Sequence, residues 1–363
     1  MLHRNLLLLI FTIALLFVSV SLAQDKAIAP LVANELLQEA GLEQVWQTKL
    51  AVRDSEQIEK LSLLGDKICA LTSTNYLFCL NRNNGNLILG VQLAPMGFPI
   101  LDPQLYENQL LVVAGNTLMQ IDPSQSAPTS THKFSYTVVY PVVRNKANLY
   151  VMGADKRIHA ITATEKLPVF DVTANNGSMP TGLLAADEYV VFTTDQGNVI
   201  CVSATQPQLL WQFDTTGPIT AGPIRDNNDL YVASEDTKVY KLTTAKGKEV
   251  WKCQLGGILK TSPRVAQTAV YQYAQSRGIS AINKDSGQLL WTLDEGIDLL
   301  AEANGKAYLM TNNRTVSVMD NTTRKQILTI NFAQAWLAAA NTADGKMYIS
   351  DKTGRVACIA VVK

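Results

Sequence analysis

The sequence lacks an excess of charge of either sign. Its 363 residues include 31 Lys and Arg side chains against 31 Asp and Glu side chains. Proteins that bind nucleic acid concentrate positive charge on one surface, and acidic interaction tails concentrate negative charge. The balance argues against both classes, so we expect no nucleic-acid partner. Charged residues make up only 17% of the chain, below the usual share of about a quarter, which suits an exported β protein better than a cytosolic helical one.

Histidine and cysteine are also scarce. The three His residues lie far apart in the sequence, and the five Cys residues include no C-x-x-C pair. A structural zinc site needs closely spaced thiolates or imidazoles, and His-based catalysis needs a histidine beside a second reactive group. We therefore predict no catalytic, cofactor-binding or metal-binding set of residues.

Long hydrophobic runs are absent except at the N-terminus. Residues 6–20 form an uncharged, mainly apolar run, preceded by Arg4 and followed by a Ser-Leu-Ala sequence that ends at Ala23. This order is typical of a signal peptide and predicts that residues 1–23 are removed. The run is short for a spanning helix, which needs about 20 apolar residues, and no Cys follows it as a lipid-attachment site. We expect a periplasmic or secreted protein with no transmembrane span.

The rest of the sequence is a repeat with a period near 40 residues. From the anchor Tyr271, apolar or small residues follow at Ile279 and Ala281, and Trp291 follows twenty positions after the anchor. The anchors of all copies are Cys69, Leu110, Tyr150, Val191, Tyr231, Tyr271, Tyr308 and Tyr348, with steps of 41, 40, 41, 40, 40, 37 and 40 residues. The copy at Leu110 is the weakest, because an insertion stretches its second half.

Each copy has the pattern of four short β-strands. Alternating apolar segments are separated by turns rich in Gly, Asn and Asp, and an apolar segment, often with Pro, precedes each anchor. Four strands in a repeat of this length are typical of a propeller blade, because one four-stranded sheet cannot cover both of its faces and radial blades cover each other. Eight copies predict an all-β, eight-bladed β-propeller of four-stranded antiparallel blades.

The two ends of the chain predict how the ring closes. The eighth copy ends before its outermost strand, whereas residues 43–50 carry a strand pattern with Trp46 and have no repeat of their own. This N-terminal strand would complete the last blade and remove two open sheet edges. We therefore assign residues 43–363 to the propeller and residues 24–42 to an N-terminal segment.

The N-terminal segment lacks alternation and predicts a short helix. Leu31, Leu36 and Leu37 could share one helical face, and Gly41 suits a helix end. We interpret this helix as an ordered tail without a partner, with a docking helix as the alternative.

The best-kept copy of the repeat is AINKDSGQLLW at residues 281–291. Its residues Ala281, Asn283, Asp285, Gly287 and Trp291 match the pattern A-x-D-x-x-T-G-x-x-x-W. This pattern resembles the pyrroloquinoline-quinone-type propeller repeat family, and the resemblance extends over about residues 43–363. It implies that one residue of each outer strand, most often Trp, docks that strand against the next blade. The residues at that position are Trp46, Phe170, Trp211, Trp251 and Trp291, with Leu89 and Leu328 as substitutes.

That family has two branches with different functions. Quinoprotein dehydrogenases hold the quinone and a calcium ion over the central channel, and their alcohol-oxidising members have an adjacent Cys-Cys disulfide. This sequence has no adjacent cysteines and no convincing equivalent of the calcium ligands. It is more similar to the compact exported branch typified by BamB, the scaffold subunit of the outer-membrane β-barrel assembly machinery, which has no catalytic residues. The chain departs from BamB in lacking the lipid-attachment Cys.

The resemblance to the BamB-like branch implies an exported, non-enzymatic protein-interaction scaffold of the cell envelope. Its partners would be other envelope proteins, including the β-barrel assembly machinery, and it would act as a monomer without a cofactor. Two alternatives stay open. One is a propeller that binds envelope polymers or carbohydrate at its polar channel mouth, and the other is a quinone-dependent oxidoreductase.

The cysteines have regular places in the repeat. Cys79, Cys201 and Cys358 occupy the position that Ala fills in other copies, which favours a small buried side chain. Cys69 and Cys79 fall on paired strands of one blade, and Cys79 and Cys358 fall on neighbouring blades. We expect buried thiols, with a disulfide at either place as the alternative.

The longest break in the repeat is the insertion at residues 122–132, which contains Pro123, Ser124, Pro128 and His132. Loops carry binding function more often than core strands do. These four residues are therefore our candidate partner-contact loop.

Overall fold

The chain forms a ring of eight four-stranded antiparallel sheets in a computed structural model that describes residues 28–125 and 127–362. The predicted all-β, eight-bladed propeller is confirmed. The signal peptide predicted at residues 1–23 lies outside the described residues.

The elements follow one another in a regular order along the chain. They are α1 (Asn34–Glu39), β1 (Leu42–Lys49), β2 (Ile58–Leu64), β3 (Lys67–Thr72), β4 (Tyr76–Asn81), β5 (Leu87–Gln92), β6 (Gln104–Tyr106), β7 (Gln109–Ala114), β8 (Thr117–Ile121), β9 (Ser130–Lys133), β10 (Val143–Arg144), β11 (Asn148–Met152), β12 (Ile158–Thr162), β13 (Pro168–Val172), β14 (Pro180–Ala185), β15 (Tyr189–Thr194), β16 (Asn198–Ser203), β17 (Leu209–Asp214), β18 (Ile224–Asp226), β19 (Asp229–Ala233), β20 (Lys238–Thr243), β21 (Glu249–Gln254), β22 (Arg264–Val265), β23 (Ala269–Ala274), β24 (Gly278–Asn283), β25 (Leu289–Leu293), β26 (Gly296–Ala303), β27 (Lys306–Thr311), β28 (Thr315–Asp320), β29 (Lys325–Asn331), β30 (Leu337–Ala339), β31 (Lys346–Ser350) and β32 (Arg355–Val361). Strands β2 to β29 form blades 1 to 7 in consecutive fours, each from an inner to an outer strand. Strands β30, β31, β32 and β1 form blade 8.

The inner and outer parts of a blade differ in burial. Strand β3 is buried at all six positions, whereas β21 is buried only at Trp251 and Cys253. A middle strand has a neighbouring blade on both sides, so both of its faces are buried and its sequence is continuously apolar. Blades diverge toward the rim of the ring, and the outer strand therefore alternates between buried and exposed residues.

Neighbouring blades bury their faces against each other around the whole ring. One hydrophobic cluster joins Tyr271 of blade 6 to Leu309 of blade 7. Another joins Tyr348 of blade 8 to Ile68 of blade 1. Burial of apolar area contributes about 25 cal/mol per Å², and a single blade cannot obtain it alone. The stability of each blade therefore depends on both of its neighbours.

The predicted repeat frame corresponds to a row of directly opposed residues across each blade. In blade 6, Tyr271 pairs with Ala281, and Ala281 pairs with Trp291. The constant spacing in sequence follows from hairpins that keep the same length from blade to blade.

Blade 2 departs from this frame. The predicted anchor Leu110 packs toward blade 1, and Leu111 is the residue that faces blade 3. Leu111 pairs with Gln120 nine positions later, one fewer than in the frame. Side chains alternate along a strand, so a hairpin that is one residue shorter moves the row to the other face. The prediction of Leu110 as the anchor is therefore wrong by one residue.

The N-terminal strand completes the last blade, as predicted. Strand β1 pairs with β32 along its length. The indole nitrogen of Trp46 donates a hydrogen bond to the carbonyl oxygen of Arg82 in blade 1, at 3.0 Å, and the hydroxyl of Tyr348 reaches the same oxygen at 3.4 Å. The Arg82 guanidinium pairs with Asp344 of blade 8 at 2.9 Å. These contacts join the first and last blades.

The residues before β1 cover the outer side of blades 7 and 8. Leu31 and Leu37 are buried in the cluster that contains Ile330, whereas Leu36 is 37% exposed. The predicted helical face of Leu31, Leu36 and Leu37 is therefore wrong in two residues, because Leu36 is exposed and Leu31 precedes the helix, which begins at Asn34. The backbone leaves the helix through Gly41 at a φ of 67°, a left-handed conformation that glycine adopts without strain. Within residues 28–125 and 127–362, no helix is long and apolar enough to cross a membrane.

Deletion of residues 42–49 is expected to destabilise the whole ring, because it removes the outer strand of blade 8 and the Trp46 contact to blade 1. Urea unfolding followed by circular dichroism should show a lower midpoint than the full chain. Replacement of the exposed Val45 by Thr on the same strand is the control and should leave the midpoint unchanged. A deletion variant with the midpoint of the full chain would rule out the closure.

Candidate functional site

The four predicted docking tryptophans are buried where neighbouring blades meet. Their indoles are 6–8% exposed, and each indole nitrogen donates a hydrogen bond to the outer turn of the next blade. The pairs are Trp46 with the Arg82 carbonyl (3.0 Å), Trp211 with the Thr244 carbonyl (2.8 Å), Trp251 with the Lys284 carbonyl (3.1 Å) and Trp291 with the Asn321 Oδ1 atom (3.0 Å).

The glycine of the repeat receives the tryptophan of the preceding blade. Gly287 has a φ of 72°, and a Cβ atom placed on it would lie 2.6 Å from Cγ of Trp251. No larger residue fits there without displacing the indole. Asn283 shapes the same turn by accepting hydrogen bonds from the backbone nitrogens of Asp285 and Ser286. The segment at residues 281–291 thus contacts both neighbouring blades: its glycine receives Trp251 of blade 5, and its Trp291 docks on blade 7.

A small side chain is the cross-strand partner of three of the four docking tryptophans. Cys201 pairs with Trp211, Ala281 with Trp291, and Cys358 with Trp46. The thiols of Cys201 and Cys358 are free and buried, as predicted, and so is that of Cys253. Burial raises the pKa of the Cys201 thiol to about 12 and that of Cys358 to about 11. These thiols therefore stay protonated and unreactive at neutral pH.

Cys69 and Cys79 form a disulfide within blade 1, so the expectation of free thiols is wrong for this pair. The two residues are direct cross-strand partners with Cα atoms 4.2 Å apart, close enough for their sulfur atoms to meet. Only blade 1 places cysteine both at the anchor and at the residue that pairs with it. The alternative pairing of Cys79 with Cys358 is excluded, because Cys79 is already bonded.

The remaining docking positions hold other side chains. Phe170 packs in the cluster between blades 3 and 4, and Leu89 and Leu328 pack toward blades 2 and 8. In blade 2 the row runs from Leu111 through Gln120 to Ser130, so that interface has no apolar docking residue.

The four residues of the predicted partner-contact loop do not form one surface. Pro123 is buried, Ser124 is exposed and Pro128 is half-buried. His132 lies on strand β9 opposite Leu118. Burial, and to a smaller extent nearby Lys166, lowers the pKa of His132 below its ordinary value. Ser124 and Pro128 are the members that reach the surface of the connection, and their contact with a partner stays a prediction.

Sequence reasoning missed a stack of three rings, those of Phe134, Tyr136 and His159, with the ring of His132 edge-on at one end. The rings of His132, Phe134, Tyr136 and His159 follow one another with centroids 4.9, 5.4 and 4.0 Å apart. The stack lies between blades 2 and 3, the interface where Ser130 replaces a docking residue. The alternation of the first three aromatic residues was the available signal for it, because alternate residues share one face of an extended chain.

Both ring nitrogens of His159 are held by carboxylates. Its Nδ1 atom lies 2.9 Å from Oδ1 of Asp171, and its Nε2 atom lies 3.2 Å from Oδ1 of Asp155. The side chain is only 12% exposed. Since neither nitrogen is left for a substrate, the imidazole acts as a structural link between strand β13 and the β11–β12 turn of blade 3.

A cavity of about 450 Å³ lies at one mouth of the central channel. It is bounded by the inner strands of blades 5 and 6 and by the loop at residues 340–345 of blade 8. The charged residues that line it are Arg225, Asp226, Arg264 and Lys284. Its volume falls in the range of small-molecule sites, although such sites usually have a more apolar lining.

Ion pairs neutralise most of the charge in this cavity. Lys284 pairs with Asp226 at 2.6 Å, and Arg264 pairs with Asp298 at 2.9 Å. Arg225 stacks over the ring of Tyr189, 5.6 Å from its centroid. The cavity thus carries one cation beyond its two ion pairs and could hold a small anion or a polar group.

The channel mouth does not fit the calcium-bound quinone of the dehydrogenase branch. No aromatic ring is among the residues that line the cavity, and the one carboxylate among them, that of Asp226, is paired with Lys284. Among the residues that the structure describes, no group of three or more His, Cys, Asp or Glu side chains is placed to hold a metal ion.

Comparison with known families agrees with this geometry. A family model described as outer membrane protein assembly factor BamB matches residues 195–348. The predicted resemblance to this repeat family is confirmed. The matched region runs from blade 4 into blade 8 and includes the best-kept copy of the repeat, so the family pattern coincides with the docking geometry there.

The proteins that this chain resembles in sequence are distant from it. Tetrathionate hydrolase from Acidithiobacillus ferrooxidans is 27% identical over 95 residues, 26% of this chain and 19% of that protein. An uncharacterized protein from Rickettsia conorii is 21% identical over 268 residues, 66% of this chain and 63% of that protein. This chain thus spans less than two thirds of either relative. The crystal structure of BamB from Moraxella catarrhalis has a TM-score of 0.65 and 14% identity, covering 88% of this chain and 97% of that one, which is likeness of fold.

Replacement of Trp251 by Ala is expected to cost about 3 to 5 kcal/mol of unfolding free energy, because it empties a buried interblade site. Trp336→Ala is the matched control, since Trp336 is 39% exposed and lies outside the docking row. It should cost less than about 1 kcal/mol. Urea unfolding of both variants gives the comparison, and equal losses would contradict the structural role of Trp251.

Alkylation followed by mass spectrometry checks the disulfide. The denatured chain should take up three labels without reductant and five after reduction, because three thiols are free and two are bonded. Cys358→Ser should remove one label under both conditions. Five labels without reductant would show that Cys69 and Cys79 are not bonded.

Proposed function

We propose that this chain is an exported protein-interaction scaffold of the cell envelope without enzymatic activity. The observation that carries the proposal is the match of the BamB family model to residues 195–348, in a ring that shares its fold with BamB from Moraxella catarrhalis. The more specific role is participation in outer-membrane protein assembly.

Export is supported by two features of the chain. Residues 6–20 and the small residues that end at Ala23 have the order of a cleaved signal. The Cys69–Cys79 disulfide suits an oxidising compartment. Both favour the periplasm or the extracellular space.

A role without catalysis is supported by the state of the reactive groups. The thiols of Cys201 and Cys358 are buried with raised pKa values, and His159 is held between two carboxylates. Nucleophilic and acid–base catalysis need such groups with access to a substrate. Here they hold strands and turns in place.

The propeller offers partners a rigid ring of turns. At the hairpins between the second and third strands, one residue takes a left-handed conformation in several blades, which fixes the turn. These residues are Asn75, Lys156, Thr237, Ser276 and Arg314, with φ values of 65°, 68°, 75°, 62° and 56°. A fixed backbone presents its side chains at little entropic cost on binding, which suits a scaffold.

Affinity capture from envelope extract under mild crosslinking tests the proposal. The full-length mature chain is the bait, and an unrelated eight-bladed propeller of similar size is the control bait. We expect a defined set of envelope proteins on this chain alone. Recovery of no specific protein would contradict the scaffold role. Recovery of an envelope polysaccharide in place of proteins would favour the polymer-binding alternative, for which the channel-mouth cavity is the obvious site.

A further inference from the structure

Trp336 is the one tryptophan of the five that does not dock a blade. It lies in the connection between β29 and β30, at residues 332–336, and its side chain is 39% exposed. Its backbone nitrogen donates a hydrogen bond to the carbonyl oxygen of Ser350, at 2.7 Å. The ring is therefore held on the face of the propeller by a fixed backbone, without being needed for the interblade contact.

Two cations lie over this ring. The guanidinium carbon of Arg314 is 4.3 Å from the ring centroid, and the ammonium nitrogen of Lys352 is 3.6 Å from it. Arg314 belongs to the β27–β28 hairpin of blade 7, and Lys352 belongs to the β31–β32 hairpin of blade 8. Two blades thus place one cation each against one indole, which attracts them through its π electrons.

The positive charge at this place is not neutralised within the described chain. Arg314 and Lys352 take part in none of the ion pairs formed by residues 28–125 and 127–362. The neighbouring carboxylate of Asp351 is engaged by Arg355 at 2.7 Å and by the Thr353 hydroxyl at 2.8 Å. Two exposed cations therefore lie over an exposed apolar ring, and no carboxylate of the described residues forms an ion pair with either of them.

We propose that Trp336, Arg314 and Lys352 form a docking site for an acidic segment of a partner protein. A guanidinium fork matches a carboxylate with two parallel hydrogen bonds, and a second carboxylate would meet the ammonium group. The exposed edge of the indole would take an apolar side chain beside them. Trp and Arg are also the residues that contribute most to protein–protein affinity. This inference rests on the proposed scaffold function and specifies the chemistry of one partner contact.

Binding of a short acidic peptide to the full-length mature chain tests the site. The probe is a fluorescein-labelled peptide of sequence Glu-Leu-Glu-Glu-Leu-Glu, with Lys in place of every Glu in the control peptide, measured by fluorescence anisotropy at low ionic strength. We expect the acidic peptide to bind. The double variant Arg314→Gln/Lys352→Gln should lose at least about tenfold in affinity, and Arg314→Lys/Lys352→Arg should recover most of it.

A matched control variant separates this site from general electrostatic attraction. Lys156 and Arg277 are exposed cations on the equivalent hairpins of blades 3 and 6, on the same face of the ring and without a tryptophan. Lys156→Gln/Arg277→Gln carries the same charge change and should keep the affinity within about twofold. Thermal unfolding should show all variants folded, because the substituted side chains are exposed.

Three outcomes would overturn the inference. The first is that the acidic peptide does not bind. The second is that Arg314→Gln/Lys352→Gln and Lys156→Gln/Arg277→Gln lose affinity equally. The third is that polygalacturonate, an acidic polysaccharide, binds at this site whereas the peptide does not. The last result would assign the site to an acidic polysaccharide.

Envelope capture with Arg314→Gln/Lys352→Gln separates the docking site from the general scaffold function. Unchanged capture together with absent peptide binding would refute the docking site and leave the scaffold function standing. Capture of nothing even by the unsubstituted chain would refute the scaffold function itself.

Discussion

The structure depends on the pairing of the first strand of the chain with its last. Each of the other interfaces joins blades that follow one another in sequence, whereas this closure brings Arg82 to Tyr348, 266 positions apart. Strand β1 supplies the missing edge of blade 8, and Trp46 continues the contact into blade 1. The entropic cost of closing such a long loop grows only slowly with its length. The closure allows all eight blades to bury both faces.

Within the closed ring, the interfaces use different chemistry in the same place. Between blades 6 and 7, Asn321 accepts a hydrogen bond from Trp291 and donates one to the Tyr271 hydroxyl, which donates to the Glu302 carboxylate at 2.8 Å. Between blades 2 and 3, an aromatic stack that ends at His159 fills the gap. Strand pairing fixes where these groups meet, so different sets of interface side chains are compatible with the same architecture. The groups that resemble active-site chemistry, such as His159 and Glu302, lie within this packing and are hydrogen-bonded to neighbouring side chains.

Periodic features could be predicted from the sequence because burial imposes the period. The eight blades, the closing strand and the docking positions of Trp211, Trp251 and Trp291 all follow from it. Which residues of strand β7 face blade 3 could not be predicted, because a hairpin shorter by one residue reverses the alternation of the side chains. The Cys69–Cys79 bond was one of two open pairings, and only the register decides between them. Trp336 and its cations come from three separate turns, and turns leave no periodic signal. The candidate docking site was therefore invisible before the structure.

Native-state hydrogen exchange tests the central claim that β1 is an integral part of the ring. If closure holds the propeller together, the hydrogen-bonded amides of β1 and β32 exchange only through the same global opening as those of β15 and β19, with a common dependence on denaturant. We expect one cooperative unit that includes residues 42–49. Exchange of the β1 amides through a separate, lower-energy opening, while blades 4 and 5 stay protected, would contradict it.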